Sequence, residues 1–228
     1  MGLSSRSLAS YRTKTDLVYD VLRTEILAGR YRPGTRIVVD QVASQLGVSK
    51  VPVRGAVDRL IGEGWLQARA HVGAVVPDLS PEEILETSII RAAVEGAAIR
   101  TSALHVGSNI LTELQELLDR MDAAAAADEL GYPELNYQFH AATFRACPYS
   151  SLRSMAMGLL GKTCRLRTVR FLPSYLPRSQ QEHRALVDAI GARDSDRAEQ
   201  VLRQHVEYSG HLLSQYAVEL RKSEPTSR

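Results

Sequence analysis

Cysteine is scarce in this 228-residue chain: there are two, Cys147 and Cys164, and their spacing fits no metal motif. No disulfide scaffold is needed, and free thiols in a reducing cytoplasm are the simplest account. Long apolar runs are missing as well. Nothing approaches a membrane span and the N-terminus has no long apolar core, so neither membrane insertion nor secretion is expected. Net charge is small, +2 overall, but unevenly placed. Residues 1–78 hold eleven lysines and arginines against seven acids, a net of +4, which leaves −2 for the remainder. The basic part is the one expected to face nucleic acid. Nucleophile signatures are also absent, with no Gly-x-Ser-x-Gly and no glutamate at zinc-protease spacing to the histidines. A metal-dependent hydrolase or isomerase would therefore lack its base.

The most informative stretch that is present runs from Leu46 to Leu60. Gly47 can take the left-handed conformation that stops one helix, Ser49 can cap the next, and Pro52 is tolerated in that helix's first turn. Lys50 and Arg54 lie four apart on one face, where a recognition helix meets phosphates and base edges; Val53, Val57 and Leu60 take the inward face. Upstream, Val18, Val21, Leu22, Ile26 and Leu27 mark a helix ending at Gly29. A Pro33-Gly34 turn follows, then a helix striped by Val39, Val42, Ala43 and Leu46 with Asp40 near its start. Downstream, Trp65–Arg69 and Gly73–Val76 can pair as two strands across Ala70-His71-Val72. The unit predicted is a winged helix-turn-helix, with a mobile arm over residues 1–13.

This order of helix, Pro-Gly turn, helix, Gly-Val-Ser turn, Pro-Val-Arg helix, Glu-Gly and Gly-containing wing resembles the GntR-type transcription regulators over residues 14–77. Two positions depart from that pattern: Lys50 stands where arginine is usual and Gly55 where an acid is usual. Lysine keeps the phosphate charge but lacks the bidentate fork that reads guanine. The resemblance makes double-stranded operator DNA the expected partner, with Ser49, Lys50, Arg54, Arg59, Arg69 and His71 as candidate contacts. One winged head offers little surface, so a homodimer on a palindromic site is expected.

From residue 78 to about 222 the pattern is helical throughout. Asp78-Leu79-Ser80-Pro81-Glu82-Glu83 is a helix start, with Ser80 as cap and Pro81 at the first position. Ile84, Ile90, Val94, Ala97 and Ala98 run along the helix that follows, and Ile110, Leu114, Leu117, Leu118 and Met121 along another. Helices over about 134–146, 151–171, 179–192 and 195–220 complete an antiparallel bundle of six or seven, with breaks at Gly131, Pro148, Pro173, Pro177 and Gly191. The fold class expected is mostly α: an N-terminal winged head and a C-terminal bundle. Asn136 and His140 share one face of a helix; His183 and His205 sit on two others, and bundles build metal sites from such inward side chains. Taken by spacing alone, histidines on amphipathic helices are more often ordinary core or surface residues than ligands. Arg165, Arg167 and Arg170 read as a solvated or dimer-facing cluster, and His211 as surface.

Through Arg91-Ala92-Ala93-Val94-Glu95, Asn136–His140, Glu182-His183 and the run into His205, this half resembles the ligand-binding domain of the fatty-acid-regulator branch of that family. The resemblance implies a divalent metal, zinc or nickel, on an aspartate and three histidines, here Asn136, His140, His183 and His205, with Arg91 as partner for an organic-acid effector. Asn136 brings an amide oxygen without the charge. The expected function is a repressor released by a small organic acid. A metal-ion sensor, in which the ion itself is the signal, is the alternative beside the enzyme.

Overall fold

The computed structural model describes residues 13–126, 131–164 and 175–223. Arg165, Arg167 and Arg170, and all but the last residue of the expected arm, lie outside these. The chain divides into two compact units, Met1–Asp78 and Leu79–Arg228.

In the first unit, α1 spans Lys14–Leu27, α2 Val39–Leu46 and α3 Lys50–Gly62, followed by antiparallel β1 (Gln67–Arg69) and β2 (Gly73–Val75). Thr13 caps α1, its side chain accepting from the Asp16 amide at 3.1 Å. Gly47 ends α2 at φ 64°, the left-handed cap its lack of a Cβ permits. Leu22 and Ile26 of α1 meet Val53, Ala56 and Leu60 of α3 in a core where none is more than 1% exposed. Full burial of each large aliphatic residue contributes about 1.5–3 kcal/mol, so α3 is held by its inner face and leaves its outer face free to vary.

Three local expectations change. Ser49 occupies the N-cap of α3 with extended backbone, but its side chain makes no capping hydrogen bond. Trp65 and Leu66 precede β1 and are buried at 0% and 2% exposure, so they belong to the core rather than to the wing strand. The segment after Pro33-Gly34 is more than a turn: Ile37 donates to the Ala74 carbonyl at 2.9 Å and Val76 to Thr35 at 2.9 Å, adding a third edge to the wing.

The second unit contains, among the described residues, α4 (Pro81–His105), α5 (Ser108–Ala126), α6 (Tyr132–Thr143), α7 (Ser150–Cys164), α8 (Leu176–Gly191) and α9 (Ser195–Ser223). Ser80 and Glu83 form a reciprocal capping box at the start of α4, with Pro81 in the first turn, as its sequence predicts. Pro177 lies inside the first turn of α8 and starts that helix rather than breaking it. Ile84 and Ala98 face inward on α4, but Ile90 is 44% exposed and does not join the core. No described helix is long and apolar enough to cross a membrane.

Helices α4 and α9 pack along one another at very close approach. A Cβ at Gly210 would lie 2.1 Å from Ser88 Oγ and 2.4 Å from its Cβ. Gly210→Ala is therefore expected to cost about 1–3 kcal/mol by overpacking, read as a lower urea midpoint, and Ser88→Gly in the same chain should restore most of it.

Candidate functional site

On the outer side of α3, Arg54 is exposed and makes no hydrogen bond or ion pair among the described residues. Lys50, one turn earlier, reaches Asp40 of α2 at 2.9 Å, with both side chains more than half exposed. Between them Val51 is 77% exposed, although it is apolar and sits on a helix with a full core face. Sequence reasoning missed Val51. The signal was there: it falls off the Val53, Val57, Leu60 spacing, and an exposed methyl pair on a recognition helix suits contact with a thymine methyl.

Arg59 turns the other way. Its guanidinium lies 3.9 Å from the Tyr19 ring centroid and pairs with Glu63 at 2.9 Å, tying α3 to α1. Arg69 is exposed at the end of β1 opposite Gly73, and His71 stands exposed at the wing tip with φ 61°. Lys50, Val51 and Arg54 thus share the exposed N-terminal part of α3, Arg69 and His71 share the wing, and Arg59, with its side chain half exposed, bridges α3 to α1 at the surface.

In the second unit the three histidines converge, although they come from α6, α8 and α9. One ligand atom from each of His140, His183 and His205 lies within 4.8 Å of the others, and none of the three is more than 1% exposed. Asn136, one turn before His140, is fully buried, and neither polar atom of its side chain has a hydrogen-bond partner among the described residues. Phe139 walls the cluster, its ring centroid 4.8 Å from that of His183.

Hydrogen bonds around the cluster fix how the rings face. Asp122 of α5 holds Gln180 at 2.6 Å, and a carboxylate can only accept, so the amide nitrogen points to Asp122. The amide oxygen then faces His183 Nδ1 at 2.9 Å and accepts the Tyr132 hydroxyl at 3.1 Å. His183 therefore carries its proton on Nδ1, leaving an Nε2 lone pair 3.3 Å from His140 Nε2. His205 is set the same way, with Nδ1 2.9 Å from Glu182 Oε2. Burial pushes the Glu182 carboxyl up, but hydrogen bonds from His205 and Arg178 outweigh it and hold it below the usual carboxylate range. Gln180, Asp122 and Tyr132 had no sequence signal, since they act through a neighbour on another helix.

This donor set fits a divalent cation. Two Nε2 atoms at 3.3 Å need a proton or a cation between them, and an unpartnered buried amide beside them costs about 1–3 kcal/mol unless something completes it. Arg91 is elsewhere engaged: it is 1% exposed and pairs with Glu95, one turn later on α4, at 2.5 and 3.0 Å.

Both units match known families. Residues 14–76 match the bacterial regulatory proteins of the gntR family, and residues 83–208 match the FCD domain. The chain belongs to the GntR family. As a GntR protein with an FCD domain it is a transcription regulator and not an enzyme. Over 200 residues this regulator is 32% identical to the probable D-xylose utilization operon transcriptional repressor of Paenarthrobacter nicotinovorans, covering 85% of this chain and 86% of that protein. The galactonate operon transcriptional repressor of Escherichia coli is 26% identical over 209 residues, 82% of this chain and 91% of its own. Among solved structures, E. coli McbR/YncC has the same fold, with a TM-score of 0.78 at 23% identity over 90% of this chain and 99% of that one. A GntR regulator from Rhodococcus sp. RHA1 superposes with a TM-score of 0.69 at 25% identity, over 88% and 97% of the two chains.

Proposed function

We propose that this GntR regulator is a cytoplasmic repressor that binds a two-fold operator as a pair of copies and is released by a small organic acid held with a divalent cation in its FCD domain. The observation that carries this is the buried cluster of His140, His183 and His205 beside the unpartnered Asn136. A site so enclosed, in a unit distinct from the DNA-binding head, suits a sensor.

Asn136, His140, His183 and His205 would hold the cation, with Gln180 and Glu182 keeping two of the rings aimed at it. When bound, the ion would supply a Lewis-acidic positive charge that the four neutral donors do not cancel, which favours a carboxylate as the further ligand. Arg91 would serve as an effector anchor only by exchanging Glu95 for the effector carboxylate. Galactonate, which names the operon of one relative, is an organic acid of this kind. On DNA, Lys50, Val51 and Arg54 would enter the major groove, Ser49 would approach the phosphates and Arg69 and His71 would follow them along the wing; Arg59 would act by holding α3 against α1.

A thermal-shift screen tests the sensor. Zinc or nickel alone should raise the melting temperature, sugar acids and other hydroxy acids should raise it further only in the presence of metal, and the same acids should weaken operator binding. Metal alone releasing DNA would make the ion the signal instead. No shift with any metal or acid would overturn the site.

A further inference from the structure

Four buried hydroxyls of the helical unit are held by carbonyls. Ser88, Thr143 and Ser209 each donate to a carbonyl of their own helix, at 2.8, 2.6 and 2.7 Å, and Ser214 donates to the Pro81 carbonyl at 3.0 Å. Ser179 of α8 differs. It is 0% exposed, yet its Oγ has no hydrogen-bond partner among the described residues, and it has not taken the local bond to a preceding carbonyl that buried helical serines make. A buried hydroxyl left this way is less stable than one that is completed, so the position calls for a further group. Its place says which. Ser179 lies one turn before His183 on α8, as Asn136 lies one turn before His140 on α6, and residues four apart share a helix face. The Tyr132 hydroxyl meets Gln180 and His140 meets His183, so α6 and α8 run past one another in the same sense. Asn136 and Ser179 therefore lie on one side of the histidine cluster, both buried and both without a hydrogen-bond partner among the described residues.

We propose that Ser179 selects the effector, its hydroxyl reading the 2-hydroxyl of an acid whose carboxylate is held by the cation and Asn136. This rests on the reading that the FCD domain holds a cation with an organic acid, and names the residue that chooses among acids. The polar groups around the cluster divide the work. If the Asn136 amide oxygen faces the cation, its nitrogen keeps two donors that need an acceptor, and a carboxylate drawn to the uncancelled charge supplies one. The hydroxyl of a 2-hydroxy acid sits on the carbon next to that carboxylate and meets Ser179, which can donate to it or accept from it. Other groups nearby are committed to the protein: Gln180 to Asp122, Tyr132 and His183, and Arg91 to Glu95. An acid without the hydroxyl leaves Ser179 as it stands. One that carries it completes a buried group, and sites that hydrogen-bond a ligand hydroxyl discriminate far more strongly than apolar pockets do.

Calorimetry on the full, zinc-loaded chain tests this with matched acids, glycolate against acetate and 2-hydroxybutyrate against butyrate. The parent should prefer the hydroxy acid of each pair. Chelation of the cation by the acid's hydroxyl adds to that preference, so the deciding quantity is its change in Ser179→Ala: the hydroxy acids should weaken by about tenfold, while zinc and the plain acids bind as in the parent. Without metal or acid, Ser179→Ala should melt no lower than the parent, because the hydroxyl it removes has no partner to lose. A variant that keeps the parent's preference, or that melts lower in the metal-free state, overturns the role of Ser179 and leaves the sensor standing. A zinc- or nickel-loaded parent that binds none of these acids and none of the wider screen overturns the sensor, and the role of Ser179 with it.

Discussion

Arg54→Ala is expected to remove detectable operator binding while leaving the head folded. Arg54 is exposed and engages no other described residue, so truncating it deletes no folded-state contact; the stability change should stay within about 0.5 kcal/mol. Its loss on DNA is different in kind, because one bidentate base contact discriminates by about 1–3 kcal/mol per half-site and a two-fold complex loses it twice. Lys50→Ala should act more mildly. The Lys50–Asp40 pair is exposed on both sides, worth at most about 1 kcal/mol, and lysine readily exchanges it for phosphate. Binding should weaken across all sequences, with the salt slope reduced by about one per copy. Gel-shift titrations at several salt concentrations decide this, and Arg54→Ala binding like the parent at moderate salt would refute the role of α3.

The histidine centre gives the second large effect. His183→Ala should abolish binding of zinc and nickel, since it removes both a donor and the ring that closes the cluster against His140. Asn136→Asp should do the reverse. It places a carboxylate beside three imidazoles, so metal affinity should rise at least tenfold, while the metal-free protein should melt lower because the new charge is fully buried. Gln180→Ala and Glu182→Leu should weaken metal binding by about 10–100-fold without removing a donor, because each frees a ring to adopt the other tautomer or to rotate. Glu182→Gln keeps an acceptor for His205 and should fall between. Calorimetry with elemental analysis measures all five. A parent that stays empty after saturation with zinc, nickel and manganese would remove the cation from the site.

By itself the sequence determined the elements whose signals act within a turn or two of chain. Gly47 stops α2, Pro81 with Ser80 and Glu83 starts α4, and Val53, Val57 and Leu60 select the inner face of α3. The four candidate donors came from the sequence only through its resemblance to a family, because spacing on three separate helices does not tell a ligand from an ordinary core histidine. Tertiary structure decided what each face meets. The inward spacing of Ile84 and Ala98 could not show that Ile90 would lie outside and Arg91 inside, since that depends on how α9 and α7 flank α4. Trp65 has the β-propensity of a strand residue, but a buried position against the helices outweighs it. The ring orientations of His183 and His205 came from Gln180 and Glu182, and the Gln180 amide itself from Asp122 on another helix. Local rules fix where helices begin and end; which side chain completes another is set by partners far away in sequence, and only packing brings those together.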